Sequence, residues 1–124
     1  MIENFEGHQY INLETFRKNG QGVKTPVWFV RDGSFLYAWT QAQSGKAKRI
    51  RGQERIKVVP CKSRGEPLGD WVEAAAAADD SEDALKHTTR LMKKKYGIAF
   101  WIAYFLGKLR RAEYTSLKIR FETE

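Results

Sequence analysis

The sequence predicts a mainly β fold, a small closed or nearly closed barrel with additional helices. Three segments rich in β-forming residues follow one another near the start of the chain and are joined by tight turns. The remaining segments complete the order β-β-β-α-β-β-α-α-β. Consecutive strands with short connections form an antiparallel meander, which in a chain of this size is typical of a small barrel.

Strand composition and turn chemistry predict the opening meander. The first strand covers Tyr10 to Phe16 and is followed by Asn19-Gly20, the strongest short signal for a hairpin. The second strand covers Val23 to Val30, and Asp32-Gly33 then turns the chain into a third strand from Phe35 to Thr40.

The middle of the chain predicts a short helix between strands. The helix covers Ser44 to Gly52, with the Ser44 hydroxyl as its N-cap and Gly52 as its stop. A fourth strand from Arg55 to Val59 ends at Pro60. The segment from Trp71 to Ala78 is ambiguous, because Ala74–Ala78 has high helix propensity whereas the residues before it favour a strand. We predict a strand whose alanines pack close to a neighbour.

The last third predicts two helices and a strand. Acidic residues at 79–83 suit the positive end of a helix dipole, and Lys93–Lys95 suit its negative end. Gly97 ends this helix, and a second helix covers Ile98 to about Leu109. The final strand, Tyr114 to Phe121, alternates, with Thr115, Leu117, Ile119 and Phe121 on one face.

Length and composition define the class of protein. The 124 residues predict a single domain over 1–124, and 42% hydrophobic with 30% charged residues excludes a disordered tail. Cys61 is the single cysteine, so no internal disulfide forms, which indicates a reducing compartment. The first residues do not resemble a secretory signal, and the longest apolar stretch, 98–106, is far shorter than a bilayer requires. We therefore expect a cytoplasmic protein without a membrane partner.

The residues usually found in catalytic constellations are sparse and scattered. Neither His8 nor His87 has a partner at metal-ligand spacing, and we expect no metal site. Cys61 is more simply a small packed residue than a nucleophile. The net charge of +7 favours an anionic partner, which could be nucleic acid, an acidic membrane surface or a phosphorylated small molecule.

A candidate phosphate site lies where the third strand meets the short helix. Thr40 and Ser44 supply hydroxyls, Gly45 permits close backbone approach and Lys46 supplies charge, beside the free N–H groups of a helix N-terminus. The segment is not a Walker A loop, because Ala47 stands where that motif needs a hydroxyl. On spacing alone, a capped helix with a solvated basic face is the better explanation.

The second strand contains a proline, Pro26, within Thr25-Pro26-Val27-Trp28. Proline in a strand predicts an edge or a break in the ladder, which leaves backbone groups free to face a ligand. Trp28 and Trp39 offer rings for stacking, although a place in the core is the commoner role for tryptophan in a barrel.

Taken together in chain order, these segments resemble the pyridoxamine 5′-phosphate oxidase-like split β-barrel superfamily. Within it, they look most like a small actinobacterial-type group assigned as F420-dependent enzymes. The similarity covers nearly the whole chain, and it rests on Thr25–Phe29, Asp32-Gly33, Leu36–Thr40, Ser44–Ile50, Val59–Cys61, Arg64-Gly65, Pro67, Gly69, Trp71–Ala74 and Lys95–Gly97.

The resemblance implies a six-stranded split barrel and a homodimer with two cofactor sites at its interface. It implies that Thr25, Pro26, Val27 and Trp28 line the ring of F420 or FMN. It also implies that the cofactor phosphate is held by Trp39, Thr40, Ser44, Gly45 and Lys46, helped by Lys48 or Arg49. This position coincides with the candidate phosphate site, so we favour a functional site there.

Gly45 departs from the family pattern, because the flavin-using oxidases typically carry Arg or Lys at this position. The C-terminal basic residues that bind pyridoxamine phosphate also have no match, so we do not expect pyridoxamine oxidation. The first hypothesis is an oxidoreductase that moves a hydride between F420 or FMN and a small-molecule substrate. The alternatives are a non-catalytic module that binds flavin, F420 or haem and, ranked last, nucleic-acid binding through basic residues 46–62.

Overall fold

The computed structural model describes residues 2–121, and this part of the chain contains six strands and three α-helices after a 3₁₀ turn at Ile2–Phe5. The strands are β1 (Tyr10–Phe16), β2 (Gly22–Asp32), β3 (Phe35–Gln41), β4 (Arg55–Cys61), β5 (Val72–Asp79) and β6 (Tyr114–Phe121). The helices are α1 (Gly45–Gly52), α2 (Glu82–Tyr96) and α3 (Ile98–Leu109). The predicted order of elements is confirmed throughout.

The strands close into an antiparallel barrel in the order β1-β2-β3-β6-β5-β4. Alternate side chains of each strand point inward, so Leu13, Leu36, Val58 and Leu117 meet in one fully buried core. Ile50 of α1 joins this core. The predicted mainly β, six-stranded split barrel is confirmed.

The barrel is split between β2 and β3. β2 pairs with β3 only at Phe29–Asp32, whereas its residues 22–28 pair with β1 alone. Across the split, residues 39–41 of β3 pair only with β6. Pro26 lies within this one-sided part of β2, opposite Asn12 of β1, so its missing N–H leaves the ladder to β3 undisturbed. The break that Pro26 predicts is present.

The alanine-rich segment is a strand, as predicted against its helix propensity. β5 has ladder partners on both sides, with Ala74 opposite Ile56 of β4 and Phe121 of β6. Its alanines at 74, 75 and 76 are buried, and α1 packs against the strand. Two ladders and burial outweigh a propensity difference of under about 1 kcal/mol per residue.

β4 continues through Pro60 to Cys61, whereas the sequence predicts that it ends at Pro60. The prediction fails because this end of β4 has a strand on one side only. Pro60 pairs with Ile11 of β1, while the pairing with β5 stops at Val58. The Pro60 carbonyl still accepts from the Leu68 N–H at 2.8 Å. Proline is tolerated where a strand has one free edge.

No helix within residues 2–121 combines the length and the apolar character needed to cross a membrane.

Candidate functional site

Hydroxyl groups gather where β3 runs into α1. The Ser44 side chain caps α1, accepting from the Ala47 N–H at 3.3 Å. Thr40 Oγ1 lies 3.5 Å from Ser44 Oγ. The first N–H groups of a helix have no partner within the helix, so this corner offers donors of the kind that bind phosphate.

Lys46, in the first turn of α1, is half-buried and unpaired. Within the part of the chain that the structure describes, its ammonium group has neither a hydrogen-bond acceptor nor an acidic partner. Burial, and secondarily the positive charge of Arg49, lowers the pKa of Lys46 below its usual value. A cation withdrawn from water without a counter-ion is a position at which a bound anion is favourable.

Two cavities meet at Lys46, and both are lined by Trp39 and Thr40 as well. The larger, of about 590 Å³, lies between the end of β3 and α3. The smaller, of about 200 Å³, opens at the split, with Val27 and Trp28 of β2 on its far side. Neither lining contains Asp or Glu. Aromatic walls together with the cations Lys46 and Arg110 suit a ligand that carries both a flat ring and an anionic group.

Aromatic neighbours hold the two tryptophans in place. The Trp39 ring stacks on Tyr114 at 3.8 Å between centroids and also contacts Phe100. The Trp28 ring stacks on Tyr96 at 4.5 Å, nearly parallel. Both tryptophans are half-buried and belong to a hydrophobic cluster under α2 and α3. They therefore pack against the barrel and form cavity wall at the same time.

The end of α2 clasps the strands beside the split. Tyr96 Oη accepts from the Phe29 N–H at 3.0 Å and lies within donating distance of the carbonyls of Gln9 and Phe29, at 2.7 and 2.6 Å. Lys95 Nζ donates to the carbonyls of His8 and Phe29, both at 2.8 Å. These side chains satisfy backbone groups just beyond the last rung between β1 and β2. The clasp lies at the residue where β2 stops pairing with β1 and begins to pair with β3.

The structure brings together some of the predicted site residues but not all of them. Those that line the two cavities are Val27, Trp28, Trp39, Thr40, Ser44 and Lys46. Thr25 and Pro26 lie further along the one-sided part of β2, and Gly45 is exposed in the first turn of α1. Arg49 lines neither cavity: its Nε donates to Thr15 Oγ1 at 2.7 Å, its Nη1 lies 2.7 Å from the position that a Cβ on Gly45 would take, and it lines a separate basic cavity.

Sequence reasoning missed the walls that come from distant elements. These are Met92 of α2, Phe100, Ala103, Leu106 and Gly107 of α3, and Arg110 and Tyr114 beyond it. Gly107 is buried, and a Cβ there would overlap the Tyr114 hydroxyl. A glycine inside an otherwise apolar helix is the signal that could have indicated this close approach.

The other chemically versatile side chains are occupied in structural contacts. His87 Nε2 lies 2.8 Å from Asp32 Oδ2, and Asp79 accepts from the Ser81 N–H at 2.9 Å. Cys61 is buried, and burial raises the pKa of its thiol, which disfavours the thiolate. Within residues 2–121 there is no cluster of His, Cys, Asp and Glu that could hold a metal ion.

The sequence matches no protein-family model and no curated protein. Solved structures do match. A candidate pyridoxamine 5′-phosphate oxidase from Listeria innocua superimposes with a TM-score of 0.66 at 15% identity, covering 98% of this chain and 90% of its own. The haem storage protein of Vibrio cholerae gives 0.72 at 12%, covering 99% and 88%. A protein described as an F420 reductase gives 0.63 at 16%, covering 98% and 92%.

This chain has the pyridoxamine 5′-phosphate oxidase-like split-barrel fold. Identities of this size show the fold alone, because one fold hosts many functions.

Proposed function

We propose that this split barrel binds F420 or FMN in the cavities beside the β2–β3 split and uses it as an oxidoreductase on a small-molecule substrate. One observation carries the proposal: the unpaired, half-buried Lys46 lies where two acid-free, aromatic-walled cavities meet. The structural similarity to an F420 reductase supports the same class of ligand.

Different residues would hold the two ends of such a cofactor. Thr40, Ser44 and Lys46 would hold its phosphate at the N-terminus of α1. The edge of β2 over Thr25–Trp28 would lie beside its ring, because that edge has no strand partner. The cofactor, when bound, supplies hydride chemistry, and the protein orients it and excludes water.

The same proposal includes a homodimer in which a second copy completes each site. Support comes from the larger cavity, which is open to solvent rather than enclosed. Sedimentation velocity at low micromolar concentration tests this part, and a monomer would contradict an interfacial site.

A second candidate function is a non-catalytic module that stores or senses the cofactor. It is favoured by the linings of the two cavities, which contain no His, Cys, Asp or Glu to act as acid or base. A haem storage protein has the same fold. Haem itself is less well supported, because neither His8 nor His87 lines these cavities.

Turnover separates the two candidates. Reduced F420 and reduced FMN are each incubated anaerobically with the protein and a panel of electron acceptors, and cofactor oxidation is followed by absorbance. Catalysed oxidation that Lys46→Met abolishes supports the oxidoreductase. Saturable binding without turnover on any acceptor supports the module, and failure to bind either cofactor contradicts both.

A further inference from the structure

A basic cavity lies between the turn that follows β1 and the C-terminal half of α1. Its volume is about 430 Å³, which is within the range of roughly 300–1,000 Å³ typical of small-molecule sites. It shares no lining residue with the two cavities that meet at Lys46. Its lining contains no Asp or Glu and four cationic side chains, those of Arg17, Lys18, Lys48 and Arg49.

These four cations have no acidic partner within residues 2–121, where none of them forms an ion pair. Burial, and secondarily the positive charge of Arg17, lowers the pKa of Arg49. The C-terminal end of α1 supplies the negative pole of a helix dipole, but that pole is equivalent to only about half an elementary charge. Most of the positive charge around the cavity is therefore uncompensated.

One of the four cations is anchored. Arg49 Nε donates to Oγ1 of Thr15, which is buried in β1. This bond uses one of the five N–H donors of the guanidinium, so up to four remain for a ligand. An anchored side chain loses less conformational entropy when a ligand binds, which favours recognition over a loose attraction of ions.

We propose that this cavity binds an anion that contains two or more linked phosphate groups. A single phosphate ion could neutralise only part of the charge of four cations, whereas a chain of phosphates carries several negative charges and extends along the cavity. Free polyphosphate and the phosphate chain of a nucleotide share this chemistry. All four cations belong to one chain, so the proposal requires neither the cofactor site nor the homodimer.

Calorimetric titration tests the proposal on the protein as it exists in solution. Tripolyphosphate, ATP and inorganic phosphate are titrated at an ionic strength of about 0.15 M without divalent cations. We expect saturable binding of tripolyphosphate, at least about tenfold tighter than that of inorganic phosphate. ATP that binds more tightly than tripolyphosphate identifies a nucleotide as the ligand, and equal affinity identifies the phosphate chain alone; either result supports the proposal.

Two pairs of variants locate the binding. Arg17→Met should weaken tripolyphosphate binding roughly tenfold or more, because it removes a charge-assisted contact. Arg64→Met is its matched control, since Arg64 is an exposed arginine on the loop after β4 and does not line the cavity; it should change binding less than about twofold. Lys48→Met should weaken tripolyphosphate binding as well, whereas Lys46→Met should leave it nearly unchanged.

Four results would overturn the proposal. The first is absence of binding at this ionic strength, which would also follow if a second copy of the chain placed a carboxylate among the cations. The second is an equal loss in Arg17→Met and Arg64→Met, which would reduce the effect to net charge. The third is displacement of tripolyphosphate by saturating F420 or FMN, which would place it in the cofactor site. The fourth is tighter binding of a single-stranded oligonucleotide, which would show that nucleic acid occupies the cavity instead.

Discussion

Replacing Lys46 with methionine should weaken cofactor binding while leaving the unliganded protein as stable or more stable. Methionine keeps the apolar stem and removes the charge. In the unliganded protein that charge is half-buried without an acidic partner among the described residues, and Arg49 disfavours it further. The free energy of unfolding should therefore stay level or rise by up to about 1 kcal/mol.

The expected loss of affinity follows from the contact that the charge would make. A charge-assisted hydrogen bond to phosphate contributes roughly 1.5–3 kcal/mol, which is about 10- to 150-fold in Kd. Fluorescence or calorimetric titration with F420 and FMN measures the affinity, and thermal unfolding without ligand measures the stability.

Lys48→Met is the matched control, since Lys48 is exposed on the same helix and lines a different cavity. It should change affinity only slightly, by long-range charge. An equal, salt-dependent loss in both variants would refute the reasoning, because it would reduce the role of Lys46 to net charge. A marked loss of stability in Lys46→Met would refute it as well.

Three further outcomes are expected. Affinity for the anionic cofactor should fall as pH rises through the lowered pKa that Lys46 has in the unliganded protein. A bound anion raises this pKa, so binding is strongest at pH values where Lys46 is already protonated in the unliganded protein. A pH series of titrations measures the dependence, and Lys46→Arg should flatten it. Tyr96→Phe should lower the free energy of unfolding by about 1–3 kcal/mol in urea, because the Phe29 N–H loses its acceptor while the ring stack remains; unchanged stability would contradict the clasp. Gly107→Ala should lower the thermal midpoint, and the free energy of unfolding by about 1–3 kcal/mol, although alanine has the better helix propensity. Gly52→Ala is the control and should not lower them, because its added Cβ meets nothing within 4 Å. The reverse order would contradict the close packing of Gly107 against Tyr114.

Local signals predicted the elements of the fold well. Asn19-Gly20 and Gly33 mark turns that the backbone makes with positive φ at both glycines. The predicted Ser44 cap lies directly before α1 and accepts the expected backbone hydrogen bond. The acidic residues that predict the start of α2 include Glu82 and Asp83, which lie in its first turn. Such signals depend on residues adjacent in sequence, which is why they can be read without the fold.

The places where prediction failed or stopped depend on distant neighbours. The extension of β4 through Pro60 is possible because β5 stops short of it, a fact about strand pairing that the local sequence does not carry. Arg49 is close in sequence to the candidate phosphate site, but its Nε donates to Thr15 on β1. That contact depends on which strand α1 packs against, and the local sequence does not specify this.

The sequence indicates only those parts of the candidate site that are close together along the chain. Thr40, Ser44 and Lys46 are close in sequence and meet at one helix start. The walls from α3 and β6 join them only because the chain returns over β3, with Gly107 letting Tyr114 approach. Apolar periodicity predicts that a helix exists but not which strand it covers.

Cofactor binding beside the β2–β3 split can be measured by titrating the folded, unliganded protein with F420 and with FMN while following tryptophan emission. Trp28 and Trp39 line the cavity at the split, so a ring bound there should quench emission. We expect saturable quenching by one or both cofactors, weakened in Lys46→Met and retained in Trp101→Phe. Absence of quenching and of calorimetric binding by either cofactor, in protein that unfolds cooperatively, would contradict it.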